Sequence, residues 1–298
     1  MKAVIGIDLG GTNVRVAKVN QLGEILQIES SPSYALEGTQ KVMDNLISLI
    51  KKIDKSDVVG IGIGVPGPVD TRRGVMTMAT NLPGFEEYPM AKELEQAFNL
   101  PTYVDNDANV AGLAEALVGA GKGEPIVYYV THSTGVGGAL VVDGKVVSGR
   151  YGYAGEVGNI ILTREGKKQN HLNIGAAENL FSGTALVKEA QEKLDPSITS
   201  AKSIFDKANE GNLVAIDIID KMAFNFASLL SAIAHVVDPH VFVIGGGVSK
   251  SKDYYFEKMT EYYNGLVHKG MQNPTIKRAE LKEPGIVGAA MLPISHGH

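Results

Sequence analysis

A chain of 298 residues, 44% hydrophobic and 20% charged, carries enough apolar material for two domains of ordinary size. A formal net charge of -5 with no lysine- or arginine-rich run leaves no electrostatic footprint for a nucleic-acid partner, and the absence of cysteine removes disulfides, a thiol nucleophile and thiolate metal sites. No apolar run reaches membrane-spanning length, and the N-terminus leads straight into a strand pattern, so a cytoplasmic protein with no signal peptide and no membrane partner is expected.

Three strands are predicted at the start, over residues 2–8, 13–19 and 24–29. Apolar Val42, Leu46, Leu49 and Ile50 recur at helical spacing and predict a helix over 38–53. The run from Val58 to Gly64 is a buried strand, Met90 to Phe98 a helix, Tyr103–Val104 a short strand and Ala108 to Val118 a helix of small residues. Strands return at 126–132, 137–142 and 145–148. This second set leads into Ser133-Thr134-Gly135-Val136-Gly137-Gly138 as the first leads into Asp8-Leu9-Gly10-Gly11-Thr12, which points to an internally duplicated α/β architecture. Helices are predicted at 184–193, 201–209 and 212–237. The last is apolar on nearly every face, through Ile216, Ile219, Phe224, Leu229, Leu230 and Ile233, and is expected to be buried. A parallel strand over 241–244 then ends in Gly245-Gly246-Gly247, at the carboxyl end where open α/β sheets bind ligands. The division expected is an N-terminal α/β lobe over 1–120, joined by a C-terminal helix at about 286–298, and a larger lobe over 121–285, with Gly121-Lys122-Gly123 as the hinge.

Two familiar nucleotide motifs are excluded. No Gly-x-x-x-x-Gly-Lys-[Ser/Thr] occurs, and Gly62-x-Gly64-x-x-Gly67 is followed by prolines rather than by a helix. What remains is three glycine turns after three strands. An ordinary hairpin explains any one Gly-Gly turn, but Asp8 before the first and Thr12 after it suit a phosphate loop with a magnesium-bound phosphate in reach. Three such turns together suit a nucleoside triphosphate, two on the phosphates and one against the adenosine. A second constellation, Asp105-Asn106-Asp107-Ala108-Asn109, stands at a helix start. Capping accounts for one or two of its four polar residues; a carboxylate there is also placed to act as general base toward a hydroxyl. The amides of Asn81, Asn106 and Asn109 suit sugar hydroxyls.

Taken in order, Asp8-Leu-Gly-Gly-Thr, Pro66-Gly67-Pro68, Asn106-Asp107-Ala108-Asn109, Ser133-Thr-Gly-Val-Gly-Gly, Gly155-Glu156-x-Gly158, Glu178-x-x-x-Ser182-Gly183 and Gly245-Gly-Gly resemble the ROK family of sugar kinases and sugar-responsive repressors, along the whole chain. The resemblance implies the actin-like (ribonuclease H-like) ATPase fold, with two lobes, each a mixed sheet with flanking helices, closing on ATP-magnesium and a hexose. It matches Asp107 to the base that deprotonates the sugar 6-hydroxyl, and Gly67, Asn81, Asn106, Glu156 and Glu178 to sugar ligands. It matches Asp8, Gly10, Gly11, Thr12, Asn13, Thr134 and Gly135 to the phosphate loops, Asp8 to the magnesium, and Gly245, Gly246 and Gly247 to the adenosine side. A homodimer is implied as well.

One departure stands out. The family carries a structural zinc held by a histidine after Gly-Glu-x-Gly and three cysteines before the second glutamate. Here those positions are Asn159, Gln169, His171 and Ala176, so no structural zinc is expected, and the polar loop from Thr163 to Gly175 is expected to be mobile and held by packing and hydrogen bonds. Ser133 stands where a glycine is usual. The leading expectation is an ATP-dependent hexose 6-kinase of glucose type, with N-acetylmannosamine or β-glucoside kinases as alternatives. A non-catalytic sugar sensor or repressor is disfavoured, because only seven residues precede Asp8 and a helix-turn-helix does not fit there.

Overall fold

The computed structural model describes residues 2–298 apart from Lys167, Asn170 and His171. The opening apolar runs become β1 (Ala3–Leu9), β2 (Asn13–Asn20) and β3 (Ile25–Pro32), an antiparallel meander whose register sets Asp8 directly opposite Arg15. α1 (Thr39–Lys52) buries Val42, Met43, Leu46, Leu49 and Ile50, one stripe at helical spacing. β4 (Val58–Val65) lies parallel to β1 and is followed by a small hairpin, β5 (Val69–Asp70) and β6 (Val75–Met76). After α2 (Met90–Phe98), β7 (Thr102–Asn106) pairs parallel to β4 and runs without a break into α3 (Asp107–Val118). β1, β4 and β7 thus form the parallel half of a five-stranded sheet of order β3-β2-β1-β4-β7.

The pattern then repeats. β8 (Ile126–His132), β9 (Val136–Val142) and β10 (Lys145–Val146) are followed by α4 (Ala177–Phe181), α5 (Gly183–Lys193), α6 (Ala201–Asn209) and α7 (Leu213–Val237), then β11 (Val241–Gly245), α8 (Phe256–Leu266), β12 (Ile276–Arg278) and α9 (Pro284–Ser295). The second sheet has the order β10-β9-β8-β11-β12, the same succession of strands, with β9 and β10 antiparallel and β11 and β12 parallel. Two mixed sheets in this duplicated order make the actin-like ATPase fold. Two compact units divide the chain: Met1–Tyr129, Ala139–Gly155 and Ala279–His298 form one, and Val130–Gly138 with Glu156–Arg278 the other.

In the first unit, α9 lies against β1, β4 and α3 and buries Ile286, Val287, Ala289, Ala290 and Leu292. In the second, α7 buries Ile218, Ile219, Met222, Phe226, Leu229, Leu230 and Ile233. The expected burial of the whole helix needs correction at Ile216 and Phe224, which are 43% and 45% exposed. The first half of this 25-residue helix, through Phe224, is covered on one side only, and there Phe224 meets Tyr262 on α8 edge to face. The short elements β5, β6, α4 and β12, and also α8, lie outside the sequence reading. No helix among the described residues is long and apolar enough to cross a membrane.

Candidate active site

The first unit carries the turn that follows β1. Gly10 donates its N–H to the Asn13 carbonyl (2.9 Å), and the buried Ser33 holds the loop by donating its backbone N–H to Thr12 O and its hydroxyl to Gly11 O, both at 2.8 Å. A Cβ on Gly11 would stand 2.8 Å from the Asn81 carbonyl, so the exposed Asn81 segment packs directly on the glycine turn. Asp8, Gly10, Gly11, Thr12, Asn13 and Arg15 line an open cavity of about 770 Å³. The Arg15 guanidinium bridges Asp8 (2.5 Å) and Glu283. Arg15 went unnoticed in the sequence, although a hairpin turning at Gly10–Gly11 already implies the cross-strand pair. One carboxylate and a hydroxyl beside a cradle of backbone donors fit magnesium, which takes one or two carboxylates and completes its shell with water and phosphate. Among the described residues no three His, Asp or Glu side chains gather as a metal cluster.

The second feature of this unit is the junction of β7 and α3. Asn106 is the N-cap: its Oδ1 accepts the N–H groups of Ala108 (2.8 Å) and Asn109 (3.3 Å), while its Nδ2 donates to the Gly67 carbonyl (3.1 Å). Capping therefore commits the Asn106 oxygen, and one amide hydrogen remains for a ligand. Asp107 follows as the first helical residue, exposed, its Oδ1 accepting the Ala108 N–H at 2.7 Å. Asp105 points the other way and is 3% exposed. Burial pushes its carboxyl above the ordinary carboxylate range, against hydrogen bonds from Asn109, the Asn106 N–H and Ser148 that favour the charged form. Asn109, expected among the sugar amides, is 2% exposed and donates to Asp105 at 2.7 Å. It is an internal residue because the helix turns position 109 inward when it turns 107 outward.

The second unit holds the other turns. Ser133 donates its N–H to Gly135 O (2.9 Å); the Ser133 carbonyl accepts from Gly183 N–H (2.7 Å), and the Thr134 carbonyl from the Thr184 hydroxyl (2.9 Å). Glu178, on α4, accepts the Val136 N–H at 2.9 Å, and a Cβ on Gly135 would meet its Oε2 at 2.6 Å. Gly135 is thus required for this carboxylate to sit against the turn. Glu156 is exposed at the start of a short 3-10 turn over Val157–Asn159. Ser133, Thr134, Gly183, Thr184, Gly247 and Val248 line a cavity of about 970 Å³ that also takes in Lys188, Lys202 and Lys250. It fits a nucleotide in size and in its mix of backbone donors, hydroxyls and lysines. Gly246 takes part in the same turn, accepting the Ser249 hydroxyl at 2.8 Å, and Gly245 ends β11.

Beneath this turn His132 is fully buried among Phe181, Phe226 and Tyr255, and burial lowers its pKa to about 4, so the ring is neutral at pH 7. In the segment where the family zinc would be held, the Asn159 Oδ1 accepts the Asn173 N–H (2.7 Å), and Asn179 donates to the Asn173 carbonyl (3.2 Å). Leu162 N–H bonds Gly175 O at 2.9 Å, which closes the loop. His171 lies outside the described residues.

Glycine turns after equivalent strands of two sheets, an exposed aspartate opening a helix and a carboxylate, Glu178, against the second turn suit a sugar kinase of the actin-like class. The chain belongs to the ROK family, whose model matches residues 4–295. A glucokinase of Halalkalibacterium halodurans is 32% identical over 87% of this chain and 84% of its own length. A ROK hexokinase from Thermus thermophilus superposes with a TM-score of 0.88 at 32% identity, over 99% of this chain and 100% of that one. A ROK family glucokinase from Streptomyces griseus, solved in complex with glucose and AMPPNP, gives 0.78 at 28% identity over 97% and 98%.

Proposed function

We propose that this protein is an ATP-dependent kinase that phosphorylates the 6-hydroxyl of a hexose, with a glucose-type sugar as substrate. The observation that carries the reading is the junction of β7 and α3: Asn106 caps the helix and thereby fixes Asp107 as an exposed carboxylate at its first position. Asp107 accepts the proton of the sugar 6-hydroxyl while that oxygen bonds to the γ-phosphorus of ATP and the bond to the β-phosphate oxygen breaks, releasing ADP. Glu156 and Glu178 accept hydrogen bonds from other sugar hydroxyls, and Gly67, Asn81 and the remaining Asn106 amide hydrogen complete the sugar side. Gly10, whose N–H holds the Asn13 carbonyl, shapes the first turn so that the phosphates approach it closely. The backbone of Gly11, Thr12, Asn13, Thr134 and Gly135 donates to them, and Gly245, Gly246 and Gly247 border the adenosine. Asp8 holds magnesium, which when bound neutralises charge on the transferring phosphoryl group. Support for a nucleotide comes from the cavity beside Thr134 and Gly247, and for glucose from the glucokinase relatives.

An N-acetylmannosamine or β-glucoside kinase uses the same chemistry with a different fit at Glu156 and Glu178. A sugar-responsive repressor, the other activity found among ROK proteins, has no need of a base, so Asp107 favours the kinase. The enzyme is proposed to act in the cytoplasm as a homodimer and without zinc. A coupled ADP-release assay across hexoses, N-acetylhexosamines and β-glucosides tests the reading. ADP release that depends on one of these sugars, lowered about 10²–10⁴-fold by Asp107→Asn with sugar binding retained, is the expected result. No sugar-dependent ADP release from any of them overturns it.

A further inference from the structure

Asp105 is a buried acid two residues from the proposed base, and no cation pairs with it among the described residues. Burying a carboxyl without a counter-charge is costly, so a position that only fills space would be apolar. Two of its three hydrogen bonds go to residues that flank Asp107 in the chain, and the third goes to Ser148. Oδ1 accepts the Asn106 N–H and the Asn109 side-chain amide, each at 2.7 Å, and Oδ2 accepts the Ser148 hydroxyl at 3.2 Å. The first bond orients the peptide that precedes the N-cap. The second ties down the first turn of α3 from inside, at the price of an Asn109 Oδ1 that is buried with no hydrogen-bond partner. The third reaches the segment after β10 that runs on through Gly155 to Glu156. Local costs of this kind concentrate where geometry matters for chemistry.

We propose that Asp105 is a positioning residue that sets the reach of Asp107 by bonding both sides of the β7–α3 junction, Asn106 and Asn109, and by anchoring Ser148. It acts through hydrogen-bond geometry and not through its charge. The inference rests on Asp107 being the base. An asparagine at 105 meets the same three partners: its oxygen accepts from the Asn106 N–H and from Asn109, and its amide donates to the Ser148 hydroxyl, which is able to accept. Alanine meets none of them.

The test compares Asp105→Asn, Asp105→Ala and Asp107→Asn for kcat and for KM toward sugar and ATP, with the fraction of folded protein measured by circular dichroism. Asp105→Asn is expected to keep kcat within about 3-fold of the parent, whereas Asp105→Ala loses about 10²-fold in kcat per folded molecule, since a displacement near 1 Å costs that much. KM for ATP stays within about 2-fold in both, because the phosphate turns are untouched. If Asp105→Ala does not fold, Asn109→Ala, which removes one of the three bonds, is expected to lower kcat about 3–10-fold with KM for ATP unchanged. A parent-like kcat for Asp105→Ala, or for Asn109→Ala where the first is unfolded, overturns the proposal. So does an Asp105→Asn enzyme as inactive as Asp107→Asn, which would assign the carboxylate charge to the chemistry itself. In either case a parent that phosphorylates sugar and an inactive Asp107→Asn leave the kinase reading standing; a parent-like Asp107→Asn instead removes the base on which the inference rests.

Discussion

Glu115 is fully buried on α3, and its carboxylate is the acceptor for three backbone N–H groups: Ala120 at 2.9 Å, Glu280 at 3.0 Å and Leu281 at 2.9 Å. The last two open the connection into α9, so this one side chain fastens the C-terminal helix to α3 across 165 residues of sequence. Replacing it by alanine removes this acceptor from all three donors. A fully buried orphan costs about 1–3 kcal/mol and a half-buried one less, because water reaches it, which puts Glu115→Ala at about 3–5 kcal/mol. With an unfolding entropy of about 0.6 kcal/mol/K for a chain of this length, the expected fall in Tm is about 5–8 °C. Glutamine keeps one oxygen for Glu280 and Leu281 but turns its amide toward the Ala120 N–H, donor against donor. That loss of one bond corresponds to about 1–3 kcal/mol and a fall of about 2–5 °C. Thermal unfolding followed by far-UV circular dichroism at pH 7 reads both shifts. A Glu115→Ala protein within about 2 °C of the parent would refute the reasoning, as would equal losses for the two variants, since the count of acceptors would then not matter.

Three further outcomes are expected. Asp8→Ala raises KM for ATP-magnesium more than KM for the sugar, because it removes the proposed metal carboxylate and leaves Arg15 with Glu283 alone; separate titrations of the two substrates check this, and equal losses would point to a damaged turn. Gly135→Ala forces its new methyl group against Glu178 and displaces that carboxylate from the Val136 N–H, so sugar KM rises by about tenfold, the equivalent of roughly 1.4 kcal/mol, and an unchanged sugar KM would remove Glu178 from the sugar side. His132 stays neutral in the fold down to a pKa of about 4, whereas in the unfolded chain it takes a proton near pH 6.5; the unfolded state therefore gains protons first, and stability falls as pH drops from about 6.5 to 4, by up to about 3 kcal/mol. His132→Phe lacks this term, so its Tm declines less steeply than the parent's between pH 7 and 5, and parallel declines would contradict the assignment.

Much of the fold is written in local patterns. Buried strands such as Val58–Val65 have no polar alternation, the stripe of Val42, Leu46, Leu49 and Ile50 can only be a helix face, and the repeated strand–glycine–strand unit announces two sheets of like order. Segments that failed to announce themselves are those whose conformation depends on neighbours. β12 is three residues, Ile276–Arg278, two of them cationic, and is a strand only because β11 offers it an edge. α4 has five residues and no repeating apolar stripe. α8 buries only Met259 and Tyr263, an i, i+4 pair too sparse to stand out in an otherwise polar segment.

The same division runs through the site. The sequence by itself determined where the glycine turns fall, that a run of Asp and Asn opens a helix, and which carboxylates follow the glycine motifs, because turns and caps depend on a few adjacent residues and on backbone sterics. Only the tertiary structure decided that Asp107 faces outward while Asp105 and Asn109 face inward, that Arg15 stands on Asp8, and that Glu115 holds the start of α9. Those choices follow from what each side of a strand or helix meets in the packed molecule, and the partners lie as far as 268 residues away in the case of Arg15 and Glu283. A local pattern states which residues share a face; burial and hydrogen-bond satisfaction across the whole chain state what that face touches.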